Sequence, residues 1–326
     1  MTSSTARKRR KKGASLSEFD LIAQIGRLGP GHGGQVVLGI GDDAALLRPR
    51  PGYDLAICAD ALVEGIHFRR KWSAPVQIGW KALAVNLSDL AAMGARPIAC
   101  LSSIAAPPSW SAKEILEIHR GIVRCGKKYG SPLVGGNCSR APRGSAFEIH
   151  VTAVGEVPRG KALLRSGARA GDDVWVSGLV GEGARGLAVL QRGRPRDPSE
   201  RRAVRRYLAP DPRVGLGLAL QMTGKVRAAI DISDGLLADL GHVLESSGGL
   251  GAVLESKALP LAVPGGIRLA LSGGDDYELL FCAPPSARSA ILKAARAAGV
   301  RVSRIGRIEK KSGLHLQLPG GRIVPY

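Results

Sequence analysis

Hydrophobic and polar positions alternate with two periods along this chain. Apolar residues recur at helical spacing in residues 15–26 (Phe19, Ile22, Ala23), 80–97 (Leu83, Leu87, Leu90), 111–130 (Ile115, Ile118, Ile122) and 236–244 (Leu236, Leu237, Leu240, Leu244). Ser15 and Glu18 form a capping-box pattern ahead of the first helix, and Gly94 with Pro97 ends the second. Ser233 or Asp234 is expected to cap the fourth. Two-residue alternation or short apolar runs predict strands at "QVVLGI", "YDLAICAD", "IACLSSIAAP", "PLVGGN", "AFEIHVTAVGEV", "DDVWVSG" and Val226–Ala228–Ile230. The glycine-rich "GLVGEGARGLAVL" turns into a further helix. Strand and helix are mixed throughout, which predicts an α/β (α+β) class in two layers. Residues 1–14 show neither period and read as a disordered tail. A new unit begins near Gly160, which divides the rest into 15–158 and 159–326.

Composition narrows the picture. The chain has 326 residues, enough for two domains with real cores, and no apolar run long enough to span a membrane. Five cysteines, scattered and without a C-x-x-C pair, argue against a disulfide framework or zinc site and for a reducing cytoplasm. The net charge is +20, and more than half of it comes from two segments. The first twelve residues carry six basic side chains and no acid, and residues 191–206, read as a loop, carry seven arginines against Asp197 and Glu200. Attraction to nucleic acid and simple solubility both account for such segments, and the tail has no aromatic residues for base stacking.

The acidic residues carry the chemistry. Asp42 and Asp43 in "GIGDDAALL", Asp60 in "CADALVEG", Asp89 in "NLSDL", Asp231 and Asp234 in "DISDG", and Asp275 and Asp276 in "SGGDDYELL" end apolar segments or adjoin glycines. One such Asp is an ordinary turn or cap residue. Five such places suggest carboxylates gathered around Mg²⁺, which bridges to substrate phosphates. "LVGGN", "SGLVGEG" and the "SDG" helix start are candidate phosphate-binding turns. No G-x-x-x-x-G-K-[ST] loop is present, and the H-R-D and D-F-G set of protein kinases is missing.

The ordered set "GIGDDAALL", "DALVEGIHF", "KALAVNLSDLAAMGARP", "LVGGN", "LLRSGARAGD", "DISDGLLADL" and "SGGDDYELLF" resembles the thiamine-monophosphate kinases, within the aminoimidazole-ribonucleotide-synthetase-like ATP-binding superfamily. The resemblance runs from about residue 15 to residue 308. It implies a two-domain fold whose N-terminal strands join a barrel at a homodimer interface, with an α/β layer behind. It also implies a cytoplasmic enzyme that transfers the γ-phosphoryl group of ATP directly to thiamine monophosphate. By resemblance, Asp43, Asp60, Asp89, Asp231 and Asp234 match Mg²⁺ ligands, Ser233 and Arg165 match contacts to ATP, and His67 and Asp275 match positions near the acceptor. Gly135 and Gly136 join the nucleotide contacts.

Four departures fall at this site. Gly135-Gly136-Asn137-Cys138-Ser139-Arg140 stands where the family reads G-G-D-T-T-R, so the amide of Asn137 replaces a metal-binding carboxylate. Cys58-Ala59-Asp60 replaces S-T-D, and Asp275 replaces Glu. Tyr326 stands in for an aromatic that packs on thiamine in an aromatic-rich C-terminal tail. These changes keep a second expectation open: a slow or non-catalytic nucleotide-binding homologue, associated with polyanions through its basic tail.

Overall fold

The computed structural model describes residues 18–28, 33–263 and 266–326. The predicted tail and the Ser15 cap lie outside them. Helix α1 (Glu18–Gly26) buries Leu21 and Ile25, whereas Ala23, expected inward, is exposed. The Phe19 side chain also lies outside what is described.

A hairpin of β1 (Val36–Leu38) and β2 (Leu46–Leu47) brackets the first paired aspartates. The first large sheet follows. It holds β3 (Tyr53–Val63), β4 (Arg96–Ala106), β5 (Leu133–Arg140) and β6 (Glu148–Pro158), in the order β3-β6-β4-β5, with only β4 and β5 parallel. Its inner face packs on α2 (Pro75–Ala92), which packs in turn on α3 (Ala112–Tyr129). The two helices meet through glycines. A Cβ on Gly79 would lie 1.8 Å from the Ile118 carbonyl oxygen, and one on Gly121 would lie 2.1 Å from that of Val76. Only a bare backbone permits that approach. The outer face of β3 is open, with Leu55 45% and Ile57 65% exposed.

The second half contains β7 (Asp173–Ser177), α4 (Glu182–Arg192), α5 (Pro198–Leu208), α6 (Val214–Thr223), β8 (Ala228–Asp231), α7 (Leu236–Ser246), β9 (Gly251–Glu255), α8 (Ile267–Ser272), β10 (Leu279–Ala283), α9 (Arg288–Ala297), β11 (Val302–Glu309), β12 (Gly313–Gln317) and β13 (Ile323–Pro325). Its strands form one sheet in the order β13-β12-β9-β11-β7-β10-β8. The two-residue period assigns its side chains to two cores. Trp175, Ala229, Leu279 and Phe281 join the core of α2 and α6, while Val174, Val176, Ile230, Leu280 and Cys282 join that of α7. Asp231 has the parity of Ala229, so it points toward α2. That parity puts a carboxylate at the junction of the halves.

The Arg-rich segment is not the loop that its composition suggests. Asp197 caps α5 by accepting from the amides of Ser199 and Glu200 at 2.8 and 2.9 Å, and Pro198 opens the helix. Ala203 and Tyr207 face inward, and Arg192, Arg202 and Arg206 pair with Glu200, Glu182 and Glu278. Among the described residues no helix is long and apolar enough to cross a membrane.

Candidate active site

Each strand or helix delivers its acid at an end. Asp60 lies near the end of β3, Asp89 in the last turn of α2, and Asp231 at the end of β8. These three, with Asp234, Asp275, His67, Ser233 and Arg165, line one cavity of about 470 Å³ between the halves. A second chamber of about 550 Å³ adjoins it, shares Asp89, Arg165 and Asp231, and is walled by Met93, Leu163 and Leu164. Ser88 on α2 donates to Asp231 Oδ2 at 2.6 Å.

The carboxylates disturb one another. Burial, then the charges of Asp231 and Asp60, push Asp89 up to about 7. Burial, with Asp239 and Asp60 adding to it and the Ser88 hydrogen bond opposing, pushes Asp231 up to about 6. Desolvation also raises Asp60, with His67 opposing. Cys58, the residue that replaces a family hydroxyl, lies between these acids, and burial and the charge of Asp89 raise its thiol. It donates to the Asn86 carbonyl at 3.3 Å. His67 accepts the Val63 amide on Nδ1 at 3.0 Å, which leaves Nε2 to carry the proton of the neutral ring.

Not every expected residue comes to this cavity. Asp43 is exposed in the β1–β2 hairpin, and with Gly135, Gly136 and Asn137 it lines a separate cavity of about 660 Å³. The single chain therefore divides the expected site in two. Tyr326 follows β13 at the opposite edge of the second sheet from β8. Six strand spacings separate them, roughly 29 Å, so Tyr326 does not reach the acid cavity.

Two candidate phosphate turns are already engaged. The amides of Gly181 and Gly183 in "SGLVGEG" donate to Asp276 at 2.6 and 2.8 Å. The amides of Ser233, Asp234 and Gly235 all donate to Asp239 Oδ2, at 3.1, 3.2 and 3.1 Å. The N-cap of α7 is accordingly Gly235, not Ser233 or Asp234, and the capping carboxylate comes from inside the helix. Asp239 was not among the expected site residues. Its ligand atoms and those of Asp234 and His242 lie within 4.8 Å of one another. Lys81 was also missed. It is buried mid-helix with Asp275 as its partner at 3.2 Å. The signal available was a lone lysine inside "WKALAV".

The two halves of this chain, a helix-backed sheet and a larger sheet across a carboxylate-lined cleft, match the two domains of the AIR synthase related proteins. The model of their N-terminal domain matches residues 41–157, and that of their C-terminal domain matches residues 169–319. The chain is 37% identical to the thiamine-monophosphate kinase of Caulobacter vibrioides, covering 96% of this chain and 90% of that one. The crystal structure of thiamine-monophosphate kinase from Stenotrophomonas maltophilia K279a superposes with a TM-score of 0.82 at 40% identity, over 93% of this chain and 97% of that one. AaThiL complexed with AMPPCP and TMP superposes with a TM-score of 0.73 at 31% identity, over 94% of each chain. Within that class, this chain belongs to the thiamine-monophosphate kinase family.

Proposed function

We infer that the protein is an ATP-dependent kinase that phosphorylates thiamine monophosphate to thiamine diphosphate. The observation that carries this is the meeting of Asp60, Asp89 and Asp231 in one cavity beside Arg165, in a chain whose relatives bear that activity in their names. A neighbour of the same fold carries an ATP analogue together with TMP.

The donor set fits Mg²⁺. It is all oxygen, and Asp89 and Asp231 are raised partly by acidic neighbours whose repulsion a divalent cation would remove. Asp60, Asp89, Asp231 and Asp234 would hold it. Bound there, Mg²⁺ supplies charge neutralisation for the transferred group.

The chain's own residues bind and orient. Arg165 offers a guanidinium fork to nucleotide phosphate oxygens, and Ser233 adds a hydroxyl. His67 Nε2–H donates to the acceptor's phosphate, and Asp275 faces its cationic ring. The acceptor's phosphate oxygen is already anionic near neutral pH, so direct transfer requires no protein base.

In this reading the halves divide at 158/159, the enzyme is cytoplasmic, and it works as a homodimer. The exposed Leu55 and Ile57 on β3 favour a second copy on that sheet face, where strands of two chains would complete a barrel. In that dimer Asp43 and Asn137 would hold metal, and Gly135 and Gly136 would contact nucleotide, from the separate cavity that they line.

The test is ADP release with and without thiamine monophosphate, run across a small panel of monophosphates. Release that requires thiamine monophosphate is expected. Nucleotide binding without acceptor-dependent release would sink the reading and favour a non-catalytic homologue, to which the loss of a carboxylate at Asn137 would then belong.

A further inference from the structure

Lys81 lies in the middle of α2 and is only 3% exposed. Burial lowers its pKa, and Asp275 opposes the shift. Its ammonium has two partners. One is Asp275 Oδ2 at 3.2 Å, and the other is the Tyr207 ring, 4.0 Å to the centroid. The second oxygen of Asp275 accepts the Tyr277 hydroxyl at 2.8 Å.

The turn bearing this carboxylate is under strain. Asp275 and Tyr277 adopt φ of 64° and 51°, a region that non-glycine residues seldom enter. It is pinned to the "DISDG" segment by Asp275 N donating to Ser233 O and Tyr277 N to Ile232 O, both at 2.8 Å. The surroundings thus fix a carboxylate that is still 32% exposed and lines the acid cavity.

Lys81, Val85, Ser88 and Asp89 share one face of α2 by helical spacing. Val85 and Asp89 line the cavity, and Ser88 holds Asp231. Seven residues separate Lys81 from Ser88, about 10 Å along the axis. One helix therefore sets Asp231 through Ser88 and Asp275 through Lys81.

We propose that Lys81 is a positioning residue for the acceptor: its ammonium clamps Asp275 in the orientation that receives the cationic ring of thiamine monophosphate, at a distance from the phosphoryl-transfer carboxylates set by α2. The inference rests on the reading above that Asp275 faces the acceptor. Lys81 itself stays behind the cavity wall, so the incoming cation meets the carboxylate first.

Steady-state kinetics on the full-length enzyme test it. Lys81→Met is expected to raise KM for thiamine monophosphate about tenfold, the scale of one charge-assisted hydrogen bond, with KM for ATP and kcat within about twofold. Lys81→Arg should recover part of the loss. Asp275→Asn should raise the acceptor KM at least as much, and adding Lys81→Met to it should change nothing further. Additive effects in the double variant, or equal rises in both KM values, overturn the role of Lys81 while leaving the acceptor reading intact. An Asp275→Asn enzyme with unchanged acceptor KM overturns the acceptor reading and the inference with it. Should Lys81→Met fail to fold, Tyr277→Phe carries the test: it removes the other hold on Asp275 and should raise the acceptor KM about threefold with that for ATP unmoved. No change in either would count against the clamp.

Discussion

Replacing a carboxylate of the cavity by its neutral isostere should make the metal-free protein more stable. Asp89 is pushed up to about 7 from 3.8 by burial and by Asp231 and Asp60. Between those values the folded state keeps a proton that the unfolded chain has lost, so stability falls as pH rises through that window. The favourable contribution is complete below the unfolded value near 4 and is gone once pH passes 7. A shift of roughly 3 units corresponds to about 4 kcal/mol at full ionisation. Partial exposure reduces this to about 2–3 kcal/mol. Asp89→Asn removes that cost. At this chain length about 2 °C accompanies each kcal/mol, so the variant should melt about 5 °C above wild type near pH 8 in chelator. The gap should shrink by more than half near pH 5, where the folded wild type is mostly protonated at this site. Mg²⁺ should raise the wild type far more than the variant, because it binds the folded carboxylates. Thermal melts at both pH values, with chelator and with Mg²⁺, give the four comparisons. An Asn variant that melts at or below wild type near pH 8 in chelator would refute the account of a carboxylate held at a cost by burial and its acidic neighbours.

Two other outcomes follow from the same structure. Asn137→Asp restores a carboxylate beside Gly136 and should lower the Mg²⁺ needed for half-maximal turnover roughly tenfold; equal Mg²⁺ curves for the two proteins would remove the idea that Asn137 weakens the site. Arg213→Ala takes a guanidinium from Glu278, which is 1% exposed and also accepts Arg206 at 2.7 Å. It should cost about 3 kcal/mol by urea denaturation, with Glu278→Gln in the same background recovering part of it.

Much of this fold was legible from periodicity. Ile115, Ile118 and Ile122 are all buried on α3, and β3, β4, β6 and β7 lie where alternation or apolar runs placed them. Helix α5 was not, because seven arginines in residues 191–206 masked the D-P-S-E start that caps it. Within the site, Asp60, Asp89, Asp231 and Asp234 share a cavity as their strand-end and helix-end positions suggested. The separate placing of Asp43 and Asn137 could not be read, since tertiary position and not local spacing decides which cavity a hairpin faces. Nor could the two glycine-rich turns be recognised as filled, because Asp276 stood among the candidate metal-binding acids and Asp239 lay inside an ordinary helix pattern.

The α5 helix gives the excess of positive charge a different meaning. Its Arg206 reaches Glu278 behind the acidic turn, its Arg202 reaches Glu182, and its Tyr207 underlies Lys81. A protein engineer lowering the isoelectric point would find these arginines unequal. Exchanging Arg202 or Arg206 takes one of two guanidinium partners from an internal acid, whereas the outward Arg201 and Arg205 can be traded without that loss. Much of the basicity of this helix is keel rather than sail, and the sum of charges overstates the pull on a passing anion.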